Sequence, residues 1–142
     1  MEILVKAHSG LRYVVLALLL GAIFVAFSKW QQKDDGSKDV KLYTFAMVST
    51  HIQLLLGLVL YVWSPKVNFS MLKEPLYRFY TVEHLTGMLI AIALITVGRV
   101  RSRKAVAEGK HKTVFLFYVV GLIIIFASIP WPFRANLGGG WY

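Results

Sequence analysis

Six residues capable of acid–base, metal or hydrogen-bond chemistry lie inside stretches that are otherwise apolar: His8, Arg12, His51, Gln53, Glu83 and His84. A polar side chain in the hydrocarbon of a bilayer costs free energy, so its presence there points to a task. Neutral imidazole nitrogen is a common metal ligand and a common axial ligand of haem iron. Two imidazoles at one depth on different helices of a bundle can therefore supply both axial ligands of a single b-type haem. Only the deprotonated ring nitrogen binds iron, so such a site should weaken in acid. With both axial positions filled, no place is left for oxygen chemistry, and the group would carry electrons.

The elements that must position these residues are four apolar runs, at about 8–28, 43–63, 76–98 and 113–131. Each is long enough as a helix, at about 1.5 Å per residue, to cross roughly 30 Å of hydrocarbon. Trp30, Tyr43, Trp63, Tyr77, Tyr80 and Trp131 border the runs in the manner of interfacial aromatic belts. The expected fold class is an all-α membrane protein, one four-transmembrane-helix bundle over residues 1–142, because lipid forces each segment to satisfy its own main-chain hydrogen bonds. A hydrophobic content of 57% in 142 residues exceeds what a soluble core of that size requires. The net charge of +9 sits between the apolar runs, which argues for membrane topology and against nucleic acid. The first run is long for a signal peptide, and Ser28-Lys29-Trp30 offers no small-x-small cleavage site, so it reads as a retained span.

Direction and depth sort the histidines. Lys29, Lys33, Lys38, Lys41, Arg99, Arg101, Arg103, Lys104, Lys110 and Lys112 fall in the first and third connections, with fewer cations on the other side. The positive-inside rule then places both termini on the outer, periplasmic side of a bacterial inner membrane. Spans one and three run the same way, so His8 and His84 share the outer half and become the expected metal ligands. His51 belongs to the inner half, where a bond to a Ser or Thr of another helix is the plainer role. His111, between Lys110 and Lys112, is expected to be solvated.

Around the pair, Gly87, Met88 and Ala91 fall on the His84 side of span three by helical spacing, and small or flexible side chains there leave room for a cofactor. Arg12 follows His8 by four residues and is placed to meet a propionate, with Arg78 and Lys73 as further cations. Glu83 is expected to pair with Arg12, Arg78 or Lys73. His51 and Gln53 are candidates for lining a cofactor pocket, with a quinone as the alternative occupant. Gly57, Gly87 and Gly121 read as close-packing positions. The chain has no cysteine, which excludes disulfides, iron–sulfur clusters and covalent c-type haem. Phosphate loops, nucleophile elbows and His-Glu-x-x-His zinc motifs are absent from the sequence.

His8 with Arg12, Gln53-Leu54-Leu55-Leu56-Gly57 and Glu83-His84 occur in an order that resembles one half of haem A synthase. The arginine is four residues from His8 where that family has an adjacent pair, and the chain matches only one of the synthase's two four-helix halves. His8-Ser9, Thr50-His51-Ile52-Gln53, Glu83-His84 and Ile129-Pro130-Trp131 are similar to signatures of small four-helix membrane proteins of Bacteroidetes labelled "cytochrome B". The second resemblance covers nearly the whole chain. Both imply one haem b, with His8 and His84 as its ligands.

The leading expectation is thus a b-type haem protein that transfers electrons within the membrane, beside other subunits of a respiratory complex or as a homodimer, in contact with lipid. The alternatives are a haem-free accessory subunit whose histidines are hydrogen-bonding glue, and a quinone- or haem-modifying enzyme. An electron carrier or subunit is favoured over a stand-alone enzyme.

Overall fold

Four helices long and apolar enough to span a membrane make up most of the chain. In the structure, a computed structural model describing residues 1–106 and 109–141, they are α1 (Glu2–Gln31), α2 (Lys41–Trp63), α3 (Pro75–Lys104) and α4 (Gly109–Ser128). The described residues contain no strand. α1 lies beside α2 and α4, α4 beside α3, and α2 more loosely beside α3, which closes a four-helix bundle. Tyr13 near the start of α1 hydrogen-bonds Trp141, so both ends of the chain meet at one end of the bundle.

Local chemistry sets the boundaries. α2 stops at Ser64, which is extended because Pro65 follows it. Pro75 opens α3, where its missing N–H has no intrahelical partner to lose. Between them, Asn68 caps a 3₁₀ turn over Phe69–Met71, in the segment where an interfacial turn is expected. α3 is not uniform. A π turn over Phe79–Glu83 directly precedes His84, whose amide reaches back five residues to the Phe79 carbonyl.

Small residues sit among larger buried side chains such as Leu19, Ile95 and Tyr118: Ala22, Ala26, Ala46 and Ala91 are fully buried, and a β-carbon at Gly98 or Gly121 would collide with Phe117 or Ile95. Large apolar side chains such as Phe24, Leu55, Val62 and Ile123 point outward. In water these flanks would associate; in a bilayer they face lipid.

Two expectations at the basic end are corrected. Arg99 is not in a loop: α3 runs on to Lys104, and Arg99 is only 3% exposed. Hydropathy marks where lipid ends, whereas Arg and Lys are good helix formers and suit a helix C-terminus, so the helix outlasts the apolar run. His111 is not solvated either; it is 1% exposed. The connection after α1 folds back over it. Tyr43 Oη–H donates to His111 Nδ1 at 2.9 Å, and His111 Nε2–H donates to Asp34 Oδ1 at 2.9 Å. Tyr118 Oη–H in turn donates to the Tyr43 carbonyl.

Asp34 also accepts from Lys29 Nζ at 2.8 Å and from the Gly36 amide at 2.9 Å. These bonds, that of Lys29 foremost, hold its carboxyl well below the usual carboxylate range. A carboxylate whose pKa is depressed on folding contributes its full stability above its unfolded value of about 4 and loses it as the pH falls further. Thermal unfolding in detergent should therefore show a smaller loss between pH 7 and about pH 3 for Asp34→Asn than for the unaltered chain. His111→Ala should lower stability by about 1–3 kcal/mol at neutral pH, by leaving buried Tyr43 Oη without its acceptor.

Candidate functional site

At the end of the bundle that carries both termini, α1, α2 and α3 part around a mostly apolar cavity of about 420 Å³. That volume lies within the range of small-molecule and cofactor pockets. Its polar wall is made by His8 and Arg12 of α1, Gln53 of α2 and His84 of α3, with Gly57 and Met88 beside them.

His84 follows the π turn, and its ring is pinned. Its Nδ1–H donates to the main-chain carbonyl of Ser128 at the end of α4, at 2.7 Å. A carbonyl can only accept, so the Nδ1 tautomer is set and Nε2 keeps its lone pair. Bonds of this kind orient histidines in general, those that ligate metals among them. The π turn itself is anchored by Tyr61 Oη–H, which donates to the Thr81 carbonyl at 2.8 Å.

His8 is held by shape. Gly57 makes room for its ring: a β-carbon there would lie 3.1 Å from His8 Cε1. The main chain at His8 is tied to α2 by Gln53 Nε2–H, which donates to the His8 carbonyl at 2.8 Å. The two rings stand 6.4 Å apart, centre to centre, with their planes at 74°. Two imidazoles bonded to one metal from opposite sides, at about 2 Å per bond, have ring centres about 6.3 Å apart.

Among the described residues, three buried polar atoms in this wall have no hydrogen-bond partner: His8 Nδ1, Arg12 Nε and Gln53 Oε1. Arg12 is buried and has no carboxylate partner among the described residues. Its Nη2 donates to the hydroxyl of Tyr13 at 3.0 Å and to the Trp141 carbonyl at 3.1 Å. The C-terminal segment is drawn over the cavity by further donors to its main chain, Tyr80 Oη to the Leu137 carbonyl and Lys66 Nζ to that of Gly138. Gly139 admits no side chain, because a β-carbon there would run into the Pro130 carbonyl.

Comparison with protein-family models, curated proteins and solved structures finds no match for this chain. The site is therefore read from its own geometry.

Of the residues singled out in the sequence, His8, Arg12, Gln53, His84 and Met88 converge on the cavity, and His51, Gly87 and Ala91 do not line it. His51 faces α3, where its ring Nε2 lies 3.0 Å from Thr96 Oγ1. Thr96 spends its own hydroxyl proton on the Ile92 carbonyl, so His51 is the donor. Gly87 packs against Ser128 of α4, and Ala91 is fully buried near Gly121. The cavity face of α3 runs through His84, Leu85, Met88 and Ile92. Glu83 pairs with Arg78 at 2.7 Å, on the exposed side and away from the cavity, and Lys73 does not line it. Trp141 lies beside Trp131, and Tyr142 lies outside the described residues.

Sequence reasoning missed Lys66, Tyr61, Tyr80 and the C-terminal carbonyls. Tyr80 was legible only as a belt residue, and the turn after Pro65 that carries Lys66 into the wall follows no periodic pattern.

If Gly57 exists to clear the His8 ring, Gly57→Val should destabilise the bundle by about 1–3 kcal/mol through overpacking. The same substitution in a His8→Ala background should cost less than half as much. Apparent unfolding midpoints of the four variants in one detergent measure this coupling; equal costs in both backgrounds would refute the packing role.

Proposed function

We propose that this chain binds one b-type haem between His8 and His84 and transfers single electrons within the membrane. The observation that carries the reading is the ring pair itself. Two imidazoles from different helices stand with ring centres 6.4 Å apart and planes at 74° beside an apolar cavity, one of them locked as an Nδ1–H tautomer.

The surrounding residues fit such a group. Among the described residues, no cluster of three or more His, Cys, Asp or Glu side chains converges on a bare ion. Two imidazoles alone suit a metal that brings its own equatorial donors, as in a porphyrin. Arg12, a buried cation without a carboxylate partner among the described residues, offers charge compensation for an anionic substituent, and Lys66 at the mouth offers a second. When bound, haem supplies an iron couple that takes up and releases one electron.

The chain's own part is to bind, orient and tune. The Ser128 carbonyl keeps the His84 lone pair directed away from α4 and raises the basicity of the ring. Gly57 and the Gln53 bond hold His8 at its height on α1. The apolar lining and the C-terminal segment exclude water, which lowers the local dielectric and strengthens the influence of the Arg12 charge on the potential.

We place both termini on the periplasmic side of a bacterial inner membrane, because the cation-rich connections lie at the opposite end of the bundle. On this reading the exchange partner is a redox subunit of a respiratory membrane complex or a second copy of the chain. A quinone at His51 and Gln53 together is not favoured, since the two side chains face different neighbours. A haem-free packing subunit draws support from the His51–Thr96 and His84–Ser128 contacts, which join helices without a cofactor.

A reduced-minus-oxidised spectrum of the purified protein separates these readings. The haem reading expects b-type Soret and α bands that are lost or severely reduced in His8→Ala and in His84→Ala and retained in His51→Ala. Absence of the bands from the unaltered chain, or equal tolerance of all three substitutions, leaves the packing subunit. The natural lack of cysteine makes topology directly testable. In sealed right-side-out vesicles, a cysteine introduced by Ser70→Cys, in the exposed connection between α2 and α3 at the end that carries the termini, should react with a membrane-impermeant maleimide, and one introduced by Ser37→Cys should not.

A further inference from the structure

At the opposite end of the bundle, a second cavity of about 310 Å³ opens between the connection after α1, the start of α2, the end of α3 and the start of α4. Lys38, Arg99, Arg103 and Lys110 converge on it, and among its described lining residues Asp39 is the single carboxylate. Asp39 is committed to Arg99, with Oδ1 2.6 Å from Nη2. Arg99 forms the floor: it is buried, and it also donates to Thr44 and Ser102. The neighbouring Asp34 is taken by Lys29 and His111. Lys38, Arg103 and Lys110 are thus left around one cavity without a carboxylate among the described residues.

Lys38 and Arg103 are exposed at the mouth, whereas Lys110 is half-buried and turned inward. Lys110 Nζ is drawn inward to the Gly36 carbonyl at 2.8 Å, and Arg103 Nη2 lies 3.4 Å from Thr44 Oγ1. After its bond from Arg99, the Asp39 carboxyl is held below its ordinary range by the fields of Arg99, Arg103 and Lys110, so these cations act on the same point. α2 begins at this wall with no side-chain cap, which adds partial positive charge to it. Like charges gathered beside an apolar bundle repel more strongly than in bulk water, and an anion held between them removes that repulsion. A guanidinium fork and two ammonium groups suit an anion with several oxygens better than a halide.

We propose that this pocket binds a phosphate oxyanion, presented either by a phospholipid headgroup or as a free phosphate. The pocket lies at the end of the membrane-spanning helices, at the level where a headgroup would reach Arg103 and Lys38 from the side. It is separate from the His8–His84 cavity, and its test does not depend on what that cavity holds.

The full chain is purified in detergent and titrated with inorganic phosphate by calorimetry. In parallel, it is placed in nanodiscs of mixed phosphatidylglycerol and phosphatidylcholine, and retained lipid is read by native mass spectrometry. Saturable phosphate binding identifies a soluble anion. Selective retention of phosphatidylglycerol that phosphate does not displace identifies a headgroup; either result supports the pocket. The double variant Lys38→Ala/Arg103→Ala, which spares the Arg99–Asp39 pair, should weaken that binding roughly tenfold or more, and Arg103→Lys should weaken it less. Should the double variant fail to fold, Lys38→Ala alone and Arg103→Lys are read by the same assays. No phosphate binding together with indifferent lipid retention, or binding that these substitutions leave unchanged, would overturn the proposal.

Discussion

Inside hydrocarbon no water is available to complete a hydrogen bond, and the polar groups within the four apolar helices are arranged to suit that constraint. The helices answer it for the main chain, and the side chains answer it by seeking main-chain carbonyls. Gln53 donates to the His8 carbonyl, Tyr61 to Thr81, His84 to Ser128 and Tyr118 to Tyr43. Each of these bonds joins two different helices. Interhelical bonds of this kind are individually modest, about 0.6–2 kcal/mol, yet they fix the rotation and height of one helix against another. The position of both imidazoles follows from them: the first bond holds the main chain of His8, the second anchors the π turn that aims His84, and the third fixes its ring.

The same constraint explains why the bundle is tight on one side and open on the other. Between α3 and α4, Gly87, Gly98 and Gly121 let backbones approach until an added methyl would collide with Ser128, Phe117 or Ile95. Between α2 and α3 the contact is looser, and space remains at the end that carries the termini. Gly57 on the α2 side does a different job from the glycines of α3 and α4. It makes room for a ring where the others make room for a helix.

These differences set what was legible in the sequence. The four spans were readable because length and hydropathy report directly on the lipid. The alignment of His8 with His84 was readable because alternate spans run the same way and depth can be counted at a fixed rise per residue. Which side of α3 faces the cavity was not readable. Gly87 and Ala91, at three and seven residues from His84, turn toward α4, while Met88 and Ile92, at four and eight, turn toward the cavity. Helical spacing groups all of them with His84 and cannot say where the neighbours stand. His111 was misjudged for a related reason: Lys110 and Lys112 mark its sequence neighbourhood as polar, but the burial comes from residues far away in the chain, Asp34 and Tyr43.

The two imidazoles are not held alike, and that asymmetry bears on how the cavity works. His84 is fixed through a main-chain bond, so its ring is pre-organised before anything enters. His8 is half-buried, with its enclosed Nδ1 unpaired among the described residues, and such atoms of Arg12 and Gln53 lie in the same wall. Buried polar groups are normally paired, and an unpaired one costs about 1–3 kcal/mol. Among the described residues, three such atoms lie together in one wall. Unpaired groups of this kind are expected where a protein keeps them for an occupant. On the haem reading proposed above, the pinned ring would set where the group sits, and the ring held by shape would adjust to it.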